Sequence, residues 1–207
     1  IKTLLQDPAN DEIQIYVHVP FCKSRCIYCD FYTFIAKPGS SGISRFSEDL
    51  KLQADTLLAD KKHRLKSLYF GGGTPSFLGE SLAELVTHIT DLCEVSPDIE
   101  ITVEANPESC TVEFIEACKK AGVTRISLGV QAFNEEVLKL LSRATYLGQV
   151  NYAIKLRQVS GLEFSLDLIA GIPSVDMGEW ETWILTAIAT NANHLSIYPL
   201  SVEEGTP

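Results

Sequence analysis

The chain has 207 residues, 45% of them apolar and 21% charged, the composition of an ordinary globular protein long enough for one sizeable domain. Its net charge of −10, with no basic run beyond residues 61–64 (KKHR), argues against a general nucleic-acid binder, whose phosphate affinity rests on Lys and Arg. No apolar run reaches the length of a membrane span and nothing near the start reads as a signal peptide, so a cytoplasmic location is expected.

Residues 1–14 read as an N-terminal extension and residues 15–207 as one domain. The first strand is expected at 15–19 (IYVHV) and runs into a cysteine-bearing loop, followed by a flexible loop at 37–42 (KPGSSG). Residues 44–59 have helical periodicity, with Phe46, Leu50, Leu57 and Leu58 on one face, and 61–64 read as a solvated turn. A short strand at 67–70 ends at GGGTP, and 81–93 look helical. Residues 99–104 (IEITVE) alternate as a strand and stop at the turn signal Asn106-Pro107. A helix at 111–121 is stopped by Gly122, which suits the left-handed residue after a helix end. A strand at 125–130 follows, then a helix at 135–141 with Asn134 as its N-cap. The remaining elements are a helix at 148–160 ending at Gly161, a strand at 164–169, a helix at 176–190 and a strand at 194–198.

Six strand-then-helix units in succession imply an α/β fold with a parallel sheet and helical crossovers. Polar residues sit at or just past nearly every strand end: His18, the glycine turn, Glu104, Gln131 and Asp167. A barrel gathers such groups from many strands at one mouth, whereas a doubly wound sheet concentrates them in one crevice. The expected architecture is therefore an incomplete (β/α)6 barrel of the TIM type, open because it lacks two units.

The loop FCKSRCIYCDFYTF carries Cys22, Cys26 and Cys29 in a C-x3-C-x2-C spacing. Such thiols can converge on a metal centre, but a closed zinc site needs four ligands and no fourth Cys or His lies nearby in sequence. Three thiolates on an iron–sulfur cubane would leave one iron open, which is useful only if something else binds there. A zinc site completed by a distant histidine, or no metal at all, stays possible on spacing alone. Cys93, Cys110 and Cys118 are scattered, with Cys93 and Cys118 falling in helical segments as small core residues.

The C-x3-C-x-Φ-C pattern with aromatic Tyr28, followed by a glycine-rich strand end, resembles the radical S-adenosylmethionine (SAM) superfamily. YVHVPFCKSRCIYCDFYT, YFGGGTPS, VEANPES, RISLGVQAFN and LDLIAGIPS match, in order, its oxygen-independent coproporphyrinogen oxidase-like branch. The resemblance implies a radical SAM barrel at 15–207 and a 4Fe–4S cluster on Cys22, Cys26 and Cys29. The fourth iron would be chelated by SAM, whose reductive cleavage releases methionine and a 5′-deoxyadenosyl radical. It further implies Tyr16 and Tyr28 beside the ligands, Gly72, Gly73 and Thr74 at SAM's methionine end, and Glu104 at its amino group. Gln131 and Arg143 would be ribose- and carboxylate-directed, and Asp167 would face the ribose hydroxyls. His18 matches the stretch before the first cysteine, where it either packs or handles protons.

Two departures from the branch matter. Its G-R-x-H is here Ser142-Arg143-Ala144-Thr145, with Thr145 in place of the histidine, and the sequence reaches EEGTP about halfway through the length typical of the branch, so that the branch's C-terminal domain is expected to lie outside it. Coproporphyrinogen dehydrogenases of the branch carry a further cysteine two residues after the third; here that residue is Phe31. The pattern resembles instead the HemW-type heme-chaperone group, which implies binding of heme or porphyrin, transfer to a haemoprotein recipient, and a reductant such as flavodoxin or ferredoxin. A coproporphyrinogen III dehydrogenase is the alternative.

Overall fold

A computed structural model describes residues 12–59 and 63–202, apart from the side chains of 157–159. Six parallel strands form one sheet in chain order: β1 (Glu12–Val19), β4 (Arg64–Gly72), β5 (Glu94–Ala105), β6 (Arg125–Gln131), β7 (Glu163–Ala170) and β8 (His194–Pro199). Two short strands, β2 (Phe21–Cys22) and β3 (Phe34–Ile35), pair in parallel beside it. Strictly sequential parallel order requires a crossover between every neighbouring pair. Those are supplied by α1 (Ser41–Leu57), α2 (Glu80–Asp91), α3 (Val112–Lys120), α4 (Glu135–Leu140), α5 (Leu147–Ser160) and α6 (Met177–Ala189). The ladder begins at β1 and ends at β8 without joining them, so the curled sheet is a half-barrel, as expected.

Alternation along the strands divides the two faces. One face presents Val17, Leu68, Phe70, Val103, Ile126, Leu128, Leu166 and Leu168, all buried in a single core with Leu82, Leu85, Phe114, Val150 and Trp183 of the helices. Each such fully buried side chain contributes about 1.5–3 kcal/mol of transfer free energy. The other face carries Tyr16, Tyr69, Glu104, Ser127, Ser165 and Asp167, residues that bond or stack with one another across strands. A closed barrel would fill this space with branched apolar side chains. Here the polar lining leaves a concave surface suited to a polar ligand.

Several boundaries differ from the sequence expectation. The first strand starts at Glu12, so residues 12–14 belong to the barrel rather than to an extension; residues 1–11 lie outside the described residues. Helix α1 starts at Ser41, inside the segment expected to be a loop. Of the expected basic turn, Lys61 and Lys62 lie outside the described residues, while Arg64 opens β4 and pairs with Glu12 at 3.7 Å. Cys93 falls beyond the end of α2, half-buried, not within the helix. Cys110 and Cys118 are buried, and burial pushes both thiols up to about 12, so they pack as neutral side chains. Asp167 lies within β7, three residues before its end.

The caps explain how two helices are cut to length. Asn134 Oδ1 accepts from the Glu136 and Val137 amides, while its Nδ2 donates to Glu179 at 2.6 Å. Asn134→Ala is expected to cost about 1 kcal/mol, the usual loss of an N-cap, read as a lower urea midpoint with unchanged slope. Helix α3 ends in a Schellman motif around Gly122 (φ 86°), with Gly122 N donating to Lys119 O and Val123 N to Cys118 O. Helix α4 ends the same way around a serine. Ser142 (φ 54°) donates to Lys139 O and Arg143 N to Leu138 O. A side chain in the left-handed region costs about 1–2 kcal/mol, a strain offset by what the turn delivers next, Arg143.

Candidate functional site

The loop after β1 is tied down on all sides. Phe34 N donates to Pro20 O and Ala36 N to Cys22 O, closing the base of the loop through β2 and β3. Phe21 sets its ring edge-on to Phe46 of α1, with centroids 5.1 Å apart. Ile27 N donates to Leu141 O at the end of α4, so the loop and the Arg143 turn are fixed to each other. His18 donates from Nε2 to Tyr32 O (3.0 Å), which leaves Nδ1 to accept from Tyr16 OH (3.2 Å). With both ring nitrogens engaged, His18 acts as a strut between β1 and the loop.

The three loop thiols open on a cavity of about 460 Å³ at the C-terminal ends of the strands. It is lined by Cys22, Cys26, Tyr28, Cys29, Gly72, Gly73, Thr74, Glu104, Gln131, Arg143 and Asp167. Of the residues singled out from the sequence for the site, Tyr16 and His18 are not in the lining; His18 is the strut described above, and Tyr16 is the residue that contacts the wall from behind. It lies one layer away, stacked on Tyr69 (5.9 Å between centroids), whose hydroxyl donates to Glu104 Oε1 at 2.8 Å. Glu104 Oε2 accepts from Gly72 N at 3.1 Å. Burial raises the Glu104 carboxyl above its ordinary range; the Tyr69 and Gly72 hydrogen bonds oppose that, and nearby Asp167 adds to it. Asp167 is also raised by burial, against bonds from Ser196 and Ser127, whose hydroxyl sits 3.1 Å from both carboxylate oxygens.

Backbone approach explains the glycines. A Cβ on Gly73 would lie 2.8 Å from both Cys22 Sγ and Phe21 O, and Gly72, at φ 117°, leaves 2.7 Å to the His18 ring. Gly73 N donates to Val19 O at 2.8 Å, so the glycine turn and the cysteine loop share one edge. Gln131 takes a left-handed conformation (φ 68°) where the β6–β7 register slips, placing it in the lining.

Two sulfurs receive side-chain donors: Thr74 Oγ1 to Cys22 at 3.6 Å and Arg143 Nη1 to Cys26 at 3.6 Å. Burial raises the Cys22 thiol and the Thr74 bond opposes it. Desolvation works to lower the buried Arg143, but Tyr28, Cys26 and Glu108 outweigh it and keep the guanidinium charged. Its Nε is buried with no hydrogen-bond partner among the described residues, a donor left unmatched there. Tyr28 is raised by burial, with Arg143 opposing. In place of the branch's histidine, Thr145 is buried and donates to Glu108.

These features fit an iron–sulfur cluster with an anionic co-ligand. Three thiols line one cavity, as a cubane that takes its ligands on separate irons requires. The glycines let the turn pack directly against the cysteine loop and His18, and the orphaned arginine donor suits a carboxylate. Sequence reasoning missed Asn106, Glu108, Ser127 and Tyr198, which also line the cavity. Ser127 was recoverable, since strict alternation along RISLGVQ puts it on the side opposite Ile126 and Leu128. Asn106 read as a turn residue and is one, which hid its second role.

The sequence matches the family model of the Radical SAM superfamily over residues 16–187. The curated "Heme chaperone HemW" of Haemophilus influenzae is 35% identical over 96% of this chain and 54% of its own length. Its counterpart from Mycobacterium tuberculosis is 39% identical over 93% of this chain and 50% of that protein. The chain thus spans about half the length of the curated relatives it matches. Among solved structures, coproporphyrinogen III oxidase (HemN) from Escherichia coli superposes with a TM-score of 0.81 at 23% identity, covering 90% of this chain and 43% of that one. That likeness shows the shared half-barrel fold. No helix among the described residues is long and apolar enough to cross a membrane.

Proposed function

The chain belongs to the radical SAM superfamily, and from that premise we propose that it is a heme chaperone of the HemW type, with a 4Fe–4S cluster on Cys22, Cys26 and Cys29 and SAM at the open iron. Heme is bound and passed to a haemoprotein recipient, and a flavodoxin or ferredoxin serves as reductant. The observation that carries this reading is Phe31. It stands two residues beyond Cys29, 65% exposed at the cavity rim, where the dehydrogenases that the sequence resembles carry a further cysteine. The similarity to proteins named heme chaperones supports the same choice.

When bound, the cluster and SAM supply electron transfer to a sulfonium and reductive cleavage of its carbon–sulfur bond. The chain's own residues bind and orient. Glu104, held by Tyr69 and Gly72, takes the amino group of SAM; Arg143 takes its carboxylate through the unpartnered Nε; Gln131 and Asp167 face the ribose. Gly72, Gly73 and Thr74 let the backbone come close to the methionine end, and Tyr28 walls the sulfur-lined side. The polar concave face keeps these donors and acceptors fixed before the ligand arrives.

Glu104 makes SAM affinity pH-dependent. Its raised pKa in the ligand-free protein means part of it is protonated on the acid side, and an amine N–H donated to it by bound SAM favours the carboxylate, so binding expels that proton. Affinity is therefore expected to fall as pH drops through the raised value. The ligand-free fold is expected to follow the opposite trend, losing stability as pH rises through the same value. Glu104→Gln should weaken binding about tenfold and flatten the acid limb, the usual scale for a charged hydrogen bond. Calorimetry on anaerobically reconstituted protein checks this, and an unaltered pH profile in the variant would move Glu104 away from the amino group.

The functional reading is tested with reconstituted protein, SAM, a reductant and either heme or coproporphyrinogen III. Stoichiometric heme binding and transfer to an apo-haemoprotein, with no decarboxylation, is expected. Decarboxylation of coproporphyrinogen III with matching formation of 5′-deoxyadenosine would make the protein a dehydrogenase.

A further inference from the structure

Asn106 joins two of the three thiols. It follows β5, and its side-chain amide is used at both ends: Oδ1 accepts from Arg143 Nη2 at 2.7 Å, and Nδ2 donates to Thr74 Oγ1 at 3.1 Å. Thr74 Oγ1 donates to Cys22 Sγ and Arg143 Nη1 donates to Cys26 Sγ, each at 3.6 Å. The result is a continuous path, Cys22–Thr74–Asn106–Arg143–Cys26, that bridges the cysteine loop through β4, β5 and the end of α4.

Each link fixes the next one's polarity. A hydroxyl has one proton; because Asn106 Nδ2 occupies the acceptor side of Thr74, the Thr74 proton is directed at sulfur. Arg143 has Nη2 held by Asn106 and by Gly129 O (2.9 Å), which turns Nη1 toward Cys26. Asn106 is itself immobilised, since its backbone oxygen accepts from Ser109 N and Cys110 N, both at 3.0 Å. Aspartate could keep the arginine contact but would accept the Thr74 proton and turn it away from sulfur.

We propose that Asn106 is a positioning residue that aims Thr74 and Arg143 at the sulfurs of Cys22 and Cys26, and thereby sets the potential at which the cluster takes up an electron. Hydrogen bonds to thiolate sulfur draw off electron density and favour the reduced state, so they raise the potential. The proposal rests on the cluster reading above, and the two fail separately. If the wild-type chain loads no iron, the cluster reading fails; if it loads iron and the variants keep its potential, the role of Asn106 fails.

The experiment is a redox titration of reconstituted protein without SAM, followed by the paramagnetic signal of the reduced cluster. Asn106→Ala and Asn106→Asp are expected to need a more negative potential. At a fixed poise the reduced-to-oxidised ratio should fall about tenfold, equivalent to about 59 mV for one electron. In a Thr74→Val background, Asn106→Ala should shift the midpoint less than it does alone, because one of its two targets is gone. A merely structural role would change iron content without moving the midpoint of the clusters that form. Wild-type midpoints in both Asn106 variants overturn the proposal. If neither variant holds iron, Thr74→Val decides: a negative shift sustains the path to Cys22, and a wild-type midpoint overturns it.

Discussion

Replacing Cys26 with serine is expected to lower the iron content of anaerobically reconstituted protein about tenfold or more while leaving the half-barrel folded. The size of the loss follows from removing a soft thiolate from a three-thiolate set, since even outer-shell changes cost metal sites 10–100-fold in affinity. The intact fold follows from where Cys26 lies. It is on a half-buried loop at the strand ends, outside the apolar core, and a serine hydroxyl can still accept from Arg143. The ligand-free variant should melt within roughly 2 °C of the wild-type protein, the scale of a substitution that disturbs no packing. Full iron content in the variant would take Cys26 out of the ligand set.

Gly73→Ala is expected to damage both stability and cluster loading, although it adds one methyl group. The new Cβ would meet Cys22 Sγ and Phe21 O at 2.8 Å and Val19 O at 3.1 Å. Two of those three atoms are backbone carbonyls, which cannot rotate away, so the glycine turn must separate from the cysteine loop and strain its bond to Val19. Overpacking of this kind costs about 1–3 kcal/mol, or a melting temperature lower by roughly 3–10 °C for a domain of this size. Cys22 moves with the loop, so iron content should fall as well. Gly42→Ala is the matched control: it lies in α1 with nothing within 4 Å of its added Cβ, and should be neutral or slightly stabilising. Wild-type stability and iron content in Gly73→Ala would show that the turn and the loop are not in contact.

Much of the fold was legible because it is written in periodicity. Short apolar runs alternating with helical patterns located all six barrel strands, with period-2 alternation at 99–104, and polar residues near their ends gave the barrel and the face that carries the site. Gly122 and Asn134 announced their caps because only a few residue types suit those positions. Ser142 did not. It occupies the same left-handed turn as Gly122, but a serine carries no such signal, and so the device that delivers Arg143 was invisible. The short β2–β3 pair was equally hidden, since two residues are too few for any period. Among the site residues, the three cysteines and the glycine turn declare themselves by type and spacing. Gln131 and Asp167 stood out as polar residues at strand ends and took their roles from the family resemblance, whereas Arg143 needed the resemblance altogether, because nothing in its local sequence distinguishes it from a surface residue. Tyr16 shows the limit of that transfer, lying behind the cavity wall rather than in it.

The most direct measure of an iron left open for SAM is the electron paramagnetic resonance spectrum of the reduced, reconstituted protein before and after SAM is added. With about four irons per chain, addition of SAM is expected to change the spectrum, and nitrogen-15 in SAM's amino group should show coupling to the cluster. A spectrum indifferent to SAM, with iron content unchanged, would contradict a three-cysteine site built to share its cluster with a ligand.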